Sequence, residues 1–477
     1  MKKKSLIAFF IVFILAVIPR FIIVFANRPF TDEAGFDLLV AKNIVVNHIF
    51  PLAGFNLNYS WHITKGPGWY YTLAIPVFFG NGNPIIAKIF MSLCQLSAII
   101  LAFFSLKKFF NLKTAFFATF LLSISPWFLD QSALIWPPFM APLAIVFFLA
   151  SLMYFLRGNK TAFLFVTFAI GLIAQYEIAI AIFLIPQVIL FSVFWLRKGL
   201  INIKFIIFSI LTFLLTMIPV IIYEVTHNFY STRGLFILLN ELLRGGGELN
   251  FSSKILQRID TFTWGFRSTF APNVFVSFAI FIVLVYFAYY FLKNKKNPIW
   301  AKRFLIFLIA APFLKFIFSI FYPGVAMAWH YLDLIIIYCF TAGILFGSVD
   351  NRKIKYLTYF LCFVLFILFS VRTNDVYKNE YHFSFSPDNI RQSVVVRYVY
   401  EDSKGKAFKY KVLSLSPLTT DFDYLFWYYG KDVGVKNFNS GKITYIIKQE
   451  ANPKIQTNKK GFKEFPGYTV EKLESIN

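Results

Sequence analysis

Runs of about 20 apolar residues recur along the chain and are separated by short connections rich in lysine and arginine. The first run, Ser5 to Phe25, is long enough to cross a bilayer as one helix. Hydrophobic residues make up 58% of the chain and charged residues 15%, whereas soluble domains are about 45–50% apolar. The sequence therefore predicts an all-α polytopic membrane protein, whose first run is an anchor and not a cleaved signal peptide.

The basic residues and the cysteines exclude several functions. A net charge of +24 would indicate nucleic-acid binding in a soluble protein, but here the basic residues cluster between apolar runs, where they set topology. We therefore predict no nucleic-acid partner. Cys94, Cys339 and Cys362 lie inside apolar runs without CxxC spacing, and we interpret them as packing residues and not as a disulfide framework or zinc site.

The basic connections predict which side of the membrane each end of a run faces. The Met1-Lys2-Lys3-Lys4 start predicts a cytoplasmic N-terminus, and about 11 spans then alternate across the bilayer. The predicted spans are 5–26, 84–106, 114–131, 139–156, 161–177, 178–196, 203–223, 271–292, 303–321, 332–349 and 355–371. The odd number predicts that the C-terminal tail lies outside the cell.

The first outer loop, residues 27–83, is predicted to be structured. Its segment Trp69–Phe79 is apolar but only about a dozen residues long, which is too short for a span. The amphipathic side chains of Trp69, Tyr70 and Tyr71 favour a helix that lies in the outer membrane interface. We therefore expect interfacial helices in this loop.

The tail changes from apolar to polar composition. Lys411–Leu415 and Ile443–Ile447 are strand-like, and Asp421–Tyr429 is helix-like. About 100 residues are enough for a separate core. We therefore divide the chain into a transmembrane domain, 1–371, and an extracytoplasmic α/β domain, 372–477.

An acidic cluster, formed by Asp32, Glu33 and Asp37, follows the first apolar run, although carboxylates are scarce in this chain. In one interpretation, Asp32 or Glu33 acts as a general base toward a hydroxyl, or ligates a divalent cation. In the other, Thr31 or Asp32 caps a helix that runs from Ala34 to Val46, with Glu33 and Asp37 in its first turn. The residue types alone leave both interpretations open.

Two basic positions on the predicted outer side are candidates for phosphate binding. Lys65 precedes the turn Gly66-Pro67-Gly68, where an ammonium and backbone N–H groups can meet a phosphate, or the lysine can snorkel to a headgroup. His330 and Tyr331 lie at the outer end of a later span. There His330 can donate to a phosphate oxygen and Tyr331 can stack on a sugar, or both can be interfacial anchors.

Further polar groups on the outer side give weaker signals. Candidates for binding a phosphate or diphosphate are Glu177, Glu224, His227, Arg233, Arg258 and Arg267. Asp130 is a second acidic candidate, because a carboxylate near the end of a span faces the bundle interior or a cavity. Lys88 and Lys315 are its candidate structural partners.

Together, in their order along the chain, these elements resemble the lipid-carrier-dependent glycosyltransferases of the protein O-mannosyltransferase and lipid A aminoarabinose transferase group (glycosyltransferase family 39-like). The resemblance covers roughly residues 1–350, and the order of the motifs is more specific than any single one. The matching residues are Asp32-Glu33, Lys65-Gly66-Pro67-Gly68-Trp69-Tyr70-Tyr71, Lys107-Lys108-Phe109-Phe110, Ser125-Pro126, Tyr223-Glu224-Val225-Thr226-His227-Asn228-Phe229 and His330-Tyr331-Leu332.

The resemblance implies a GT-C fold whose first-loop helices roof a cavity, and a polyprenyl-phosphate-linked sugar as donor. It implies that Asp32 activates the acceptor and that Lys65 contacts the carrier or its phosphate. The chain departs from the family at two places. Ile135-Trp136-Pro137-Pro138 stands where many members carry a second acidic residue, and Gly66-Pro67-Gly68 replaces a commoner Pro-Pro pair.

The predicted function is an inverting hexosyl- or pentosyltransferase of the plasma membrane, acting on a glycan, lipid or protein acceptor at the outer face. Asp32, with Glu33 beside it, is the predicted catalytic residue. Lys65, with His330 or a loop arginine, is predicted to stabilise the leaving phosphate. No cofactor is predicted beyond a divalent cation, for which Asp32 and Glu33 are the candidate ligands.

Two alternative functions remain. One is a polysaccharide polymerase or ligase with diphosphate-linked donors, in which Arg233, Arg258 or Arg267 matters more than Asp32. The other is a transporter or flippase without catalysis. Against the transporter, the sequence has no convincing two-half repeat and few charged residues at the predicted bilayer midplane.

Overall fold

The computed structural model describes most of the chain in two compact units. It describes residues 3–25, 30–58, 63–243, 250–271, 273–322, 324–348, 390–414, 418–431, 442–449, 462–465 and 467–474, with 356, 360, 363–368 and 370. Unit 1 comprises residues 1–23, 51–69 and 91–375, and unit 2 comprises 24–50, 70–90 and 376–477.

Helices make up most of the described residues. In chain order they are α1 (Lys3–Val24), α2 (Asp32–Asn47), α3 (Gly68–Phe79), α4 (Pro84–Phe109), α5 (Leu112–Ile124), α6 (Pro126–Asp130), α7 (Ala141–Leu156), α8 (Ala162–Tyr176), α9 (Ile178–Arg197), α10 (Ile203–Thr226), α11 (Tyr230–Leu243), α12 (Phe251–Thr269), α13 (Val274–Lys293), α14 (Ile299–Ile320), α15 (Leu332–Gly347), α16 (Arg391–Ser403) and α17 (Thr420–Gly430). The strands are β1 (Asn56–Asn58), β2 (Ile63–Thr64), β3 (Phe408–Leu413), β4 (Ile443–Gln449), β5 (Phe462–Phe465) and β6 (Tyr468–Glu474).

The helices confirm the prediction of a multi-pass membrane protein. Among the described residues, 8 helical segments are long and apolar enough to cross a bilayer: α1, α4, α9, α10, α13, α14, and the segments Pro137–Leu156 and Ala328–Gly347, which contain α7 and α15. Two shorter apolar helices, α5 and α8, coincide with further predicted spans. Most of the predicted span 355–371 lies outside the described residues.

Small residues allow the helices of unit 1 to pack closely. A Cβ added to Gly343 on α15 would lie 2.5 Å from the Cβ of Ala118 on α5, and one added to Gly347 would lie 2.4 Å from the backbone nitrogen of Thr114. Since helices in a membrane associate by close packing and not by the hydrophobic effect, these glycines bring α5 and α15 into contact.

The first loop contains the predicted short helices. Helix α2 begins directly after Thr31, and α3 covers the apolar segment that is too short to span. Between them β1 and β2 form a small antiparallel ladder, with Asn56 opposite Thr64. The predicted helix at Trp69–Phe79 is confirmed, and its orientation in the interface stays a prediction.

The polar tail folds as the predicted α/β structure. Its sheet has the order β3-β4-β6-β5, in which β3 and β4 are parallel and the other pairs are antiparallel. Residues Ile443, Tyr445 and Ile447 alternate along β4 and are buried, as expected for a strand with one covered face. The strands β3 and β4 and the helix α17 lie within a few residues of their predicted positions, whereas β5, β6 and α16 were not predicted.

Candidate functional site

Lys65 forms an ion pair with Glu177 in unit 1. The distance from Lys65 Nζ to Glu177 Oε2 is 3.1 Å, and the Lys65 side chain is 17% exposed whereas that of Glu177 is 1% exposed. Glu177 also caps helix α9, because its Oε1 accepts a hydrogen bond from the backbone nitrogen of Ala179. Reciprocal backbone bonds hold the Lys65 strand end: Gly54 N–H donates to Lys65 O, and Lys65 N–H donates to Phe55 O. The backbone of Lys65 is therefore fixed, and its side chain stays partly accessible.

Gln175 holds the turn that follows Lys65. Its Oε1 accepts from the backbone nitrogen of Gly68 at 2.8 Å, and its Nε2 donates to Thr216 O at 2.8 Å. A Cβ at Gly66 would lie 2.1 Å from Gln175 Oε1, so the side chain fits only because residue 66 is glycine. The Gly-Pro-Gly turn that departs from the family pattern is thus matched to Gln175.

Lys315 and Asp333 form a second ion pair, which is buried on both sides. The Lys315 ammonium also lies over the ring of Tyr331, 5.0 Å from its centroid. Lys315 therefore has Asp333 as an ion-pair partner, and its predicted partnership with Asp130 stays a prediction. Asp130 ends helix α6, and its side chain lies outside the described residues, so its role as a second acidic residue stays a prediction. Lys88 is buried on α4.

His330 lies in a 3₁₀ turn just before α15. Met327 N–H donates to His330 Nδ1 at 3.3 Å, so in the neutral ring the proton is on Nε2, which can donate to an anion. Lys315, Lys65 and Arg258 all act electrostatically on this ring. His330 therefore lies within electrostatic range of three cationic side chains of unit 1.

The structure corrects part of the prediction for Tyr331. Its side chain is buried and packs beneath the Lys315 ammonium. A position in an aromatic belt at the membrane surface is therefore wrong, since a buried ring does not face the interface. Sugar stacking by Tyr331 stays a prediction.

The three loop arginines have different environments. Arg258 is fully buried, and its guanidinium donates to the backbone oxygens of Ser319, Tyr322 and Gly324 at 2.9, 3.0 and 2.6 Å. It thereby organises the loop before His330. Arg267 pairs with Asp260 at 3.5 Å, and Arg233 is exposed on α11.

Glu224 and His227 both make local contacts near the end of α10. Glu224 accepts hydrogen bonds from the backbone nitrogens of Ser231 and Thr232, in the first turn of α11, at 2.9 and 2.8 Å. His227 stacks on Tyr223, with ring centroids 4.1 Å apart. Both residues therefore shape the join between α10 and α11.

The acidic cluster lies in unit 2 and forms the start of α2. Thr31 caps the helix by accepting from Ala34 N–H at 3.1 Å, while Asp32 and Glu33 occupy its first turn. Asp32 is half-buried, Glu33 is exposed and Asp37 is buried. The capping interpretation is confirmed for Thr31 and Glu33, whereas Asp37 lies beyond the first turn in which it was predicted. It does not exclude the chemical one, because a first-turn carboxylate still presents its oxygens outside the helix.

The donor set for a metal is limited in the part of the chain that the structure describes. Within it, no group of three or more His, Cys, Asp or Glu side chains is arranged to hold a metal ion. Asp32 and Glu33 remain the candidate ligands for a divalent cation, and cation binding stays a prediction.

Sequence reasoning missed two residues that shape the cationic cluster. Neither Gln175 nor Asp333 was singled out from the sequence. The available signal for Asp333 was a carboxylate inside a strongly apolar run, which usually has a buried partner. The resulting cluster, composed of Lys65, Arg258, Lys315 and His330 with Glu177 and Asp333, carries the charge needed to bind an anion such as a phosphate monoester.

The fold is the GT-C fold that the family resemblance implied, as comparison with solved structures shows. The structure is similar to ArnT from Cupriavidus metallidurans bound to undecaprenyl phosphate, with a TM-score of 0.60 and 10% identity over 97% of this chain and 98% of that one. ArnT in the apo state gives a TM-score of 0.57 at 9% identity, covering 97% of both chains.

A third similar structure is the Archaeoglobus fulgidus oligosaccharyltransferase in complex with Zn and sulfate. Its TM-score is 0.53 at 12% identity, covering 93% of this chain and 67% of that chain. No protein-family model and no curated protein sequence matches this chain. At such low identities the comparison shows the fold, and the activity has to be argued from the residues.

Proposed function

We propose that the protein is a membrane glycosyltransferase that moves a sugar from a polyprenyl phosphate to an acceptor on the outer face of the membrane, with inversion at the anomeric carbon. The observation that carries the proposal is that 97% of the chain, tail included, aligns with 98% of ArnT, whose structure contains undecaprenyl phosphate. A local likeness of helices would not give such coverage.

The cationic cluster supports a phosphate-linked donor. In the proposed reaction the acceptor oxygen attacks the anomeric carbon, the bond from that carbon to the phosphate oxygen breaks, and the polyprenyl phosphate leaves with the electron pair. Lys65 and the Nε2–H of His330 stabilise the charge that develops on the leaving phosphate, as preorganised donors do in other transferases. Glu177 holds Lys65 in place until the phosphate binds.

Asp32 is the proposed general base. It accepts the proton of the acceptor hydroxyl as the new glycosidic bond forms, so that no alkoxide has to exist free in solution. Its place in the first turn of α2, after a capping threonine, supports this assignment, since the backbone that carries it is rigid. Glu33 is exposed beside it and is proposed to have the lesser role.

The experiment uses cells from which the gene has been deleted. Mass spectrometry of their lipids is expected to show an accumulated polyprenyl-phosphate sugar, which also identifies the sugar. The wild-type gene is then returned to these cells and is expected to clear the lipid. The variant Glu401→Gln, a change at an exposed carboxylate of the same unit, is expected to do the same. Asp32→Asn is expected to be present in the membrane at normal levels and to clear none.

Two results would overturn the proposal. The first is that no polyprenyl-phosphate sugar accumulates. The second is that Asp32→Asn clears the lipid as fast as the wild type.

A further inference from the structure

Helix α17 of the C-terminal tail lies directly against α2. A Cβ added to Gly35 on α2 would be 2.4 Å from Asp421 N and 2.4 Å from Thr420 O. Such distances are much shorter than a carbon contact of about 3.5–4.0 Å. The two helices therefore meet backbone to backbone at Gly35, with no side chain between them.

Hydrogen bonds from the tail reach the backbone of Asp32 and of Phe30 before it. The hydroxyl of Thr420 donates to the backbone oxygen of Asp32 itself. Two residues earlier, Gln392 on α16 accepts from Phe30 N–H at 3.2 Å and donates to Phe30 O at 2.6 Å. The same Gln392 amide donates to Asp421 Oδ2 at 3.0 Å. Residues 30, 32 and 35 are thus all held by the tail.

Helix α17 also holds the turn between α3 and α4. The Tyr424 hydroxyl donates to Gly82 O at 2.7 Å, and Lys431 donates to Asn81 O. Gly82 has φ +75°, and a Cβ there would lie 2.8 Å from the ring of Trp427. One helix of the tail therefore makes specific contacts with two separate pieces of the first loop in unit 2.

We propose that Thr420, Asp421 and Gln392 are positioning residues for Asp32, and that the C-terminal domain is in this way a working part of the transferase. This inference rests on the proposed role of Asp32. A general base acts only within hydrogen-bond reach of the proton it removes, and a misplacement of about 1 Å can reduce the rate about 100-fold. The backbone contact at Gly35 and the bond to Asp32 O limit such a shift.

The test compares matched variants of the full-length purified protein. Gly35→Ala forces α2 from α17, whereas Gly265→Ala, in helix α12, adds a methyl where nothing lies within 4 Å. Helix propensity alone favours alanine at both positions, so any loss at residue 35 reports the contact. Thr420→Val removes the hydroxyl, and Thr420→Ser keeps it.

The rate is measured as polyprenyl phosphate released from the donor lipid isolated from the deletion strain, with deletion-strain membranes as the source of acceptor. Binding is measured separately with undecaprenyl phosphate. We expect Gly35→Ala to lower kcat about 100-fold and Thr420→Val to lower it several-fold. KM for the donor and Kd for undecaprenyl phosphate are expected to be unchanged, and Gly265→Ala and Thr420→Ser to match the wild type.

The outcomes separate the two proposals. If Asp32→Asn is inactive while Gly35→Ala and Thr420→Val keep the wild-type kcat, the positioning role is refuted and the proposed function stands. Equal losses of kcat and of undecaprenyl phosphate binding would mean a general structural role, which also refutes positioning. An active Asp32→Asn variant refutes the proposed function itself.

Discussion

The two units hold their proposed key residues by different kinds of interaction. In unit 1, Lys65 is held by a side-chain ion pair with Glu177 at 3.1 Å. In unit 2, the segment that carries Asp32 is held through its backbone, by the Thr420 hydroxyl and by the contact at Gly35. A lysine in a side-chain ion pair can exchange its carboxylate partner for another anion, whereas backbone contacts fix a helix in one place.

This difference fits the two proposed tasks. A group that stabilises a leaving phosphate has to accept a new anion during each turnover, and a partly exposed lysine paired with a carboxylate can do so. A general base has to be in the same place in every turnover. The comparison predicts that charge changes act mainly on ligand binding in unit 1 and that contact changes act mainly on rate in unit 2.

The largest effect on stability is expected at the buried pair of Lys315 and Asp333. It tests whether Lys315, like Lys65, can give up its carboxylate partner. Asp333→Asn leaves the Lys315 ammonium buried without its carboxylate, and breaking a buried pair in this way costs about 3–5 kcal/mol. The double variant Lys315→Met, Asp333→Leu removes both charges and is expected to recover most of the stability. Thermal unfolding in detergent measures both, and an Asp333→Asn midpoint equal to the wild type would contradict the prediction.

The next largest effect is the pH dependence of stability that arises from the Asp421 carboxyl of unit 2. Burial raises the pKa of Asp421 from 3.8 to about 6, and the nearby Asp32 carboxylate adds to the rise, against hydrogen bonds from Phe422 and Gln392. Between these values the folded protein binds more proton than the unfolded chain, so the free energy of unfolding falls as the pH rises from about 4 to about 6. The full change is about 3 kcal/mol at 1.36 kcal/mol per pKa unit.

Asp421→Asn removes the titrating carboxyl and with it this pH dependence of stability, so the wild type is compared with the variant at each pH. The difference in unfolding midpoint between wild type and variant is therefore expected to grow in favour of the variant from pH 4 to pH 6 and to stay constant above pH 7. A difference that does not change with pH would show that Asp421 titrates normally in the folded protein.

The smallest effect is on ligand binding in unit 1. Glu177→Gln keeps the shape of the side chain but removes the charge that competes with a phosphate for Lys65, so undecaprenyl phosphate is expected to bind about five-fold tighter, or about 1 kcal/mol. Lys65→Met is expected to act in the opposite direction and weaken binding about ten-fold. Lys160→Met, at an exposed lysine, is the control with unchanged affinity.

Titration with undecaprenyl phosphate in detergent measures all three variants. If both Glu177→Gln and Lys65→Met weakened binding equally, the ion pair would be a structural unit, and the contrast between the two units would not hold.

The sequence predicted the helical fold well because its evidence is local. A run of about 20 apolar residues or an alternation along a strand indicates an element without reference to the rest of the chain, and Thr31 with the acidic residues after it marks the start of α2 in the same way. The candidate site was predicted less completely. Lys65 and His330 were singled out because they are polar residues near apolar runs, but nothing local distinguishes buried Arg258 from exposed Arg233.

By itself the sequence determined that this chain forms membrane helices with a polar α/β tail, and which side chains are chemically able to bind a phosphate or accept a proton. Only the tertiary structure decided which of them pair, that Lys315 meets Asp333 and that Thr420 holds the backbone of Asp32. The physical reason is that each pairing joins residues of two different helices, 18 and 388 positions apart in the chain. They follow from how whole helices pack, which no short window of sequence contains.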